Sequence, residues 1–163
     1  MYPVVILTIS DKGSKGERED QSGALLHQLV TPLPGKVIVY EVIPDEKEMI
    51  RDRIIALCDH TKAALIVTTG GTGVSPRDVT PEATMEAVER IIPGIGEVMR
   101  MEGYKKTPMA IISRGIAGVR KKTLIVNLPG SPRAVQENFE LLLPVLRHTM
   151  DKITGDPNPC GRD

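Results

Sequence analysis

Residues 65 to 82 read Leu-Ile-Val-Thr-Thr-Gly-Gly-Thr-Gly-Val-Ser-Pro-Arg-Asp-Val-Thr-Pro-Glu, a buried-strand signal that runs through a glycine loop into a helix start. Leu65, Ile66 and Val67 form a short apolar run of the kind that suits a central parallel strand covered on both faces. Gly70, Gly71 and Gly73 then permit backbone angles that side chains forbid, so successive N–H groups can converge on one point. Such a concavity attracts an anion, commonly phosphate. Thr80-Pro81-Glu82 reads as a helix start, with Thr80 as N-cap, Pro81 at the first helical position and an acid in the first turn. Asp78 is left just outside that helix. A carboxylate beside a phosphate cradle repels the ligand unless a divalent cation lies between them, and Mg²⁺ favours one or two carboxylates plus phosphate oxygens. The stretch therefore points to a metal–nucleotide site. The competing reading is a tight strand-to-helix connection in which Asp78 makes a local Asx-turn. No Lys-Ser/Thr follows the glycines, which excludes a Walker P-loop, and the spacing does not fit G-x-G-x-x-G.

The rest of the chain repeats this alternation. Pro3 to Ile9 is a β-branched-rich run of strand length ending at Ser10-Asp11, before an exposed polar loop from Lys12 to Glu19. Leu25, Leu26, Leu29 and Val30 recur at helical spacing until Pro32 and Pro34 stop them. Val37 to Ile43 gives a second strand. A helix follows from about Asp45 to His60, with Asp45 and Glu48 spaced as a cap and its reciprocal acid, and Ile50, Ile54, Leu57 and Cys58 on one stripe. Past Thr80, Met85, Val88, Ile91 and Ile92 share a helix face. Pro93-Gly94 breaks it, and a second short helix carries Ile95, Val98 and Met99. Pro108 to Ser113 and Lys122 to Leu128 read as two strands joined by Arg114 to Lys121. Too few residues separate them for a helical crossover, so one strand can be antiparallel. Asn127-Leu128-Pro129-Gly130-Ser131-Pro132 closes a strand, with Ser131 capping a helix that carries Val135, Phe139, Leu142 and Leu146. That helix start, with Arg133 beside it, is either a second anion site or simply a well-capped terminal helix.

Strands alternating with helices predict a three-layer α/β fold: a mostly parallel sheet, helices on both faces, right-handed crossovers and one strand open to antiparallel pairing. Ligands in such sheets bind beyond the carboxyl ends of the strands, where Ser10, Asp11, Asp45 and the 70–78 loop lie. With 163 residues, the expectation is one domain over residues 1–154 and a polar tail over 155–163. Cys58 falls in an apolar helical pattern and Cys160 in the tail, a poor pairing for a bridge. Lys plus Arg and Asp plus Glu both number 21, so no bulk positive field draws the chain to nucleic acid. Three tyrosines, one phenylalanine and no tryptophan leave little for base stacking. No charged-then-apolar leader and no long apolar run are present, which predicts a cytoplasmic protein away from membranes.

Individual acids keep two readings each. Asp45 can cap its helix, bind metal, or do both through its two oxygens, and Asp11 is either a ligand or a solvated loop residue. His27, His60 and His148 lack metal-like spacing. No G-x-S-x-G elbow surrounds Ser10, Ser75, Ser113 or Ser131, and phosphate holding suits these serines better than nucleophilic catalysis.

With those residues in view, the chain resembles the MogA/MoaB family of molybdenum cofactor biosynthesis, shared with the G domain of gephyrin. The resemblance covers nearly all of residues 3 to 152. It rests on Ser10-Asp11, Ile43-Pro44-Asp45-Glu46, Thr68-Thr69-Gly70-Gly71-Thr72-Gly73, Arg77-Asp78-Val79-Thr80-Pro81-Glu82-Ala83-Thr84, Pro93-Gly94, Ser113-Arg114 and Asn127-Leu128-Pro129-Gly130-Ser131-Pro132. It implies a homotrimeric molybdopterin adenylyltransferase that moves AMP from Mg-ATP to the terminal phosphate of molybdopterin and releases pyrophosphate. Asp45 and Asp78 would be its catalytic and Mg²⁺-placing aspartates. The loop from Thr69 through Gly70, Gly71, Thr72 and Gly73, with Ser75, Ser10 and Asp11 nearby, would hold the nucleotide or its phosphates. Ser113 and the Pro129-Gly130-Ser131 turn would help hold the pterin. A partner protein that inserts molybdenum is implied downstream. A MoaB-type role, or a molybdopterin-binding scaffold without catalysis, is the alternative.

Overall fold

Alternate residues of the first strand are buried in opposite directions, and this sets the architecture. In β1 (Tyr2–Ile9), Val4 and Ile6 pack into one apolar cluster while Val5, Leu7 and Ile9 pack into another. A strand whose two sets of side chains both avoid water must lie between two layers. The computed structural model describes residues 1–160 and supplies those layers. One face carries α2 (Gln21–Leu29), α5 (Pro93–Lys106) and the long α6 (Pro132–Ile153), whose Leu26, Met99, Val135, Phe139, Leu142 and Leu146 pack on Val4, Ile6, Leu65, Val67, Leu124 and Val126. The other carries α3 (Lys47–His60) and α4 (Thr80–Ala87), whose Ile50, Ile54, Leu57, Ala83 and Ala87 pack on Val5, Leu7, Ile66 and Ile125.

Between them runs a six-stranded sheet. It also contains β2 (Gly35–Ile43), β3 (Leu65–Thr69), β4 (Arg90–Ile91), β5 (Ala117–Arg120) and β6 (Thr123–Leu128), in the order β2-β1-β3-β6-β5-β4. The first four in that order are parallel, and β5 pairs antiparallel with both β6 and β4. The three-layer, mostly parallel expectation holds. Among the described residues no helix is long and apolar enough to cross a membrane.

Several local expectations fail, each for a physical reason. Pro108–Ile112 is a 3₁₀ turn rather than a strand, with Met109 66% and Ile111 59% exposed, so that apolar run has no second face to bury. The antiparallel strand is β5, inside the segment expected to be a connection. Helix α4 stops at Ala87 instead of carrying its face on to Ile92, because Glu89 N–H donates to Val119 O and Ile92 N–H to Ala117 O, which draws Arg90–Ile91 into the sheet edge. Helix α5 is 14 residues long, not a short segment. The polar loop after β1 contains a short helix, α1 (Asp11–Ser14), capped by the Ser10 hydroxyl, which accepts from Gly13 N–H. Neither Asp45 nor Thr80 is an N-cap. Helix α3 begins at Lys47 behind Glu46, and Thr80 is itself the first residue of α4. Ser131 does cap α6, accepting from Ala134 N–H. Cys58 is buried and Cys160 exposed, both free, and the last three residues of the expected tail, 161–163, lie outside the described residues.

Candidate functional site

The parallel register brings the ends of β1, β3 and β6 level, since Thr8 is opposite Thr69 and Thr69 opposite Leu128. The three turns that follow therefore meet at one rim. Gly70 N–H donates to Leu128 O at 3.1 Å, and a side chain on Gly70, at φ 99°, would sit 2.3 Å from Ile9 O. Only a glycine passes there. Gly71, at φ 65°, is equally constrained: a Cβ would meet Thr80 Oγ1 at 2.3 Å and Asp45 Oδ1 at 3.2 Å. The Thr80 hydroxyl donates to Gly70 O and Thr80 N–H to Gly71 O, so the residue expected to cap α4 instead folds the loop back onto it. From below, Asn127 supports the rim. It is wholly buried and its amide donates to the hydroxyls of Thr68 and Thr84, each at 2.9 Å.

Asp45 and Asp78 flank this loop. Asp78 Oδ2 accepts from Ser75 N–H at 2.9 Å, three residues back along the chain and so not an Asx-turn, and lies 2.8 Å from where a Gly73 Cβ would be. Asp45 Oδ2 accepts from Asp11 N–H. Burial, then the Asp11 and Asp78 carboxylates, push the Asp45 carboxyl above its ordinary range. Asp11 goes the other way, because the Arg77 guanidinium grips both its oxygens and holds its carboxyl below the usual range. Charge is thus left uncompensated at the loop by Asp45, not by Asp11.

Two cavities open on either side of this loop. A polar one of about 550 Å³ is lined by Ser10, Thr69, Gly70, Asp45 and Ser131, together with Arg18 and the start of α2 at Gln21 and Ser22. A second, of about 440 Å³, is lined by Thr72, Gly73, Ser113 and Pro129, with apolar walls from Met99, Met109 and Ile112. Gly71, Asp78 and Gly130 belong to both. The residues expected to hold one ligand at the far turn are consequently divided: Ser113 and Pro129 face one cavity, Ser131 the other. Asp11 and Ser75 line neither, each being engaged in fixing a neighbouring aspartate.

Sequence reasoning missed the α2 start. Asp20 caps α2 through Gly23 N–H at 2.9 Å, and its other oxygen accepts from the hydroxyls of Thr8 and Tyr40, each at 2.5 Å. Burial and that carboxylate push the Tyr40 phenol up to about 12. Ser22 then donates to Gly130 O at 2.7 Å, tying α2 to the turn before α6. The visible signal was an aspartate placed three residues before a glycine at the head of an apolar helical run. Arg18, Met99 and Met109 carry no local signal; they reach the site only through the fold.

Chemically, the rim offers backbone donors, two helix starts and two carboxylates around a glycine. Two carboxylates with no nitrogen or sulfur donor suit Mg²⁺, whose remaining positions go to water and phosphate, rather than a closed zinc site. No group of three or more His, Cys, Asp or Glu side chains converges as a metal cluster among the described residues.

Comparison with known proteins agrees with this geometry. Residues 5–148 match the family model described as "Probable molybdopterin binding domain". The chain is 42% identical over 156 residues to the molybdopterin adenylyltransferase of Helicobacter pylori, across 93% of this chain and 87% of that one. To gephyrin of Dictyostelium discoideum it is 42% identical over 164 residues, 94% of this chain and 23% of that much longer one. The crystal structure of the molybdopterin biosynthesis enzyme MoaB from Thermus thermophilus superposes with a TM-score of 0.90 at 49% identity, across 96% of this chain and 99% of that one. On its sheet order, its glycine rim and this match over most of its length, the chain belongs to the molybdopterin-binding domain family of molybdenum cofactor biosynthesis.

Proposed function

We propose that this protein is a molybdopterin adenylyltransferase. A terminal phosphate oxygen of molybdopterin attacks the α-phosphorus of ATP, the bond from that phosphorus to the bridging β-phosphate oxygen breaks, and pyrophosphate leaves. Such a transfer asks little covalent chemistry of a protein and much positioning, because both reactants are anions. The observation that carries the reading is the shared rim: Asp78, Gly71 and Gly130 border both cavities, so reactants in each would meet there. Asp45 and Asp78 would hold Mg²⁺, whose charge offsets that of the phosphates. Gly71, Thr72 and Gly73 offer phosphate oxygens their backbone donors, Thr69 and Gly70 line the cavity beneath them, and Ser10 and Ser131 offer their hydroxyls. Ser113, Pro129 and Gly130 flank the pterin. Asp11 and Ser75 serve by holding Asp45 and Asp78.

The test is direct: purified protein, molybdopterin and Mg-ATP, with adenylylated product and pyrophosphate followed together. Turnover abolished in Asp78→Asn while molybdopterin still binds supports the reading. A second reading, a MoaB-type role, is favoured by the 49% identity to the Thermus structure described as a molybdopterin biosynthesis enzyme MoaB, whereas binding with no product in the parent protein would select a molybdopterin-binding scaffold without catalysis. The same assignment takes the protein as a cytoplasmic homotrimer that passes its product to a molybdenum-inserting partner. Sedimentation equilibrium showing a lone monomer would overturn the trimer.

A further inference from the structure

Arg114 stands behind the glycine loop and is absent from the walls of both cavities. Its backbone N–H donates to Thr72 O at 2.8 Å. Its side chain does more: Nε donates to Gly73 O and Nη2 to Asp78 O, each at 2.7 Å, while Nη1 reaches the Glu82 carboxylate in the first turn of α4. One planar group thus spans both ends of the 73–78 segment and anchors it to a helix. A guanidinium suits this task because its donors are fixed in one fork, whereas an ammonium is a point charge on a flexible stem. Arg77 ties the same segment to Asp11 and Glu46 from the opposite side, and the Asp78 carboxylate itself depends on how the segment is held. That carboxylate is held by Ser75 N–H, and the Asp78 N–H by Ser75 O, both inside the same loop, so neither contact fixes the loop against the rest of the molecule.

We propose that Arg114 is a positioning residue for adenylyl transfer, bolting residues 73–78 to α4 so that the Asp78 carboxylate is presented at the rim of the two cavities. The proposal rests on the adenylyltransferase reading and deepens it. Displacing a reacting group by about 1 Å costs on the order of 100-fold in rate.

The test compares Arg114→Ala and Arg114→Lys with the parent protein. In the alanine variant kcat falls about 100-fold, while KM for molybdopterin and for ATP stays within about threefold, the pattern of a lost transition-state contribution. Guanidinium ion, supplied far below the concentrations that unfold small domains, restores part of the lost kcat in Arg114→Ala only. Arg114→Lys remains impaired, and should the alanine variant not fold, this variant carries the test. Amide hydrogen exchange over residues 72–79 accelerates in both variants, and Mn²⁺, used as a probe in the absence of nucleotide, binds more weakly. Parental kcat in Arg114→Ala, full activity in Arg114→Lys, or unchanged exchange over 72–79 would each overturn the proposal. If the parent itself shows no adenylyl transfer, the functional reading falls, and exchange and Mn²⁺ binding still decide whether the clamp exists.

Discussion

Asp11 and Asp45 each accept the other's backbone N–H: Asp11 N–H donates to Asp45 Oδ2 at 2.9 Å, and Asp45 N–H donates to Asp11 Oδ1 at 3.0 Å. This reciprocal pair locks the turn after β1 to the turn after β2. It also dictates which oxygens remain, since Asp45 Oδ1 is left on the side of Gly71.

From that pair follows a trade between stability and activity at Asp45. Its carboxyl is raised by burial and by the Asp11 and Asp78 carboxylates, against the lowering effects of the Asp11 N–H it accepts and of Arg77. A carboxyl raised on folding supports the fold most below its ordinary range, and that support is lost as pH rises through the folded value. At neutral pH the charged group therefore weighs against the fold. Asp45→Asn keeps an acceptor for Asp11 N–H and removes the charge, so thermal unfolding of the ligand-free protein at pH 7 is expected to shift upward. The gain should shrink as pH is lowered into the range where Asp45 protonates. Adenylyl transfer should fall about 100-fold or more in the same variant.

Gly71→Ala is expected to lose stability through both of its neighbours. The added methyl group would meet Thr80 Oγ1 at 2.3 Å, and the backbone at φ 65° already disfavours a side chain. Chemical denaturation should show a loss of about 2 kcal/mol or more, with the slope unchanged. Gly94, where a Cβ would meet nothing, is the control position.

Asn127 is a fully buried polar residue whose amide bridges Thr68 and Thr84 and whose Oδ1 accepts from Ile116 N–H. Asn127→Ala leaves those groups short of partners and should cost about 2 kcal/mol in urea unfolding. Asn127→Asp should be worse at neutral pH, where a charge is buried, and recover on acidification.

The two cysteines should differ sharply toward iodoacetamide. Cys58 is buried, and burial pushes its thiol up to about 11, so little thiolate exists at pH 8. Cys160 is exposed. Mass spectrometry should find the native protein alkylated at Cys160 alone, with Cys58 labelled only after denaturation.

The parallel half of the sheet was legible because its strands are apolar runs closed by polar turns, with helical stripes such as Ile50, Ile54 and Leu57 between them. The antiparallel edge was not. β4 spans two exposed residues, and β5 opens on Ala117-Gly118, so neither shows a hydrophobic period; only pairing across space defines them. At the site, Gly70, Gly71, Asp45 and Asp78 stand out in the sequence as residue types that suit a phosphate and a cation, and the fold brings them to one rim. Their supports stand out less. Asp45 and Thr80 both look like helix caps, yet Asp45 accepts from Asp11 N–H across the fold and the Thr80 hydroxyl donates to Gly70 O within its own connection. Arg114 resembles a surface charge until the loop it crosses is folded.

The two cavities have one wall in common, and a wall shared in this way makes their occupants thermodynamically interdependent. A compound long enough to occupy both chambers would hold its second half at a high effective concentration once the first had docked. The joined product should accordingly leave more slowly than either reactant, and a bridging mimic should outcompete both halves supplied separately.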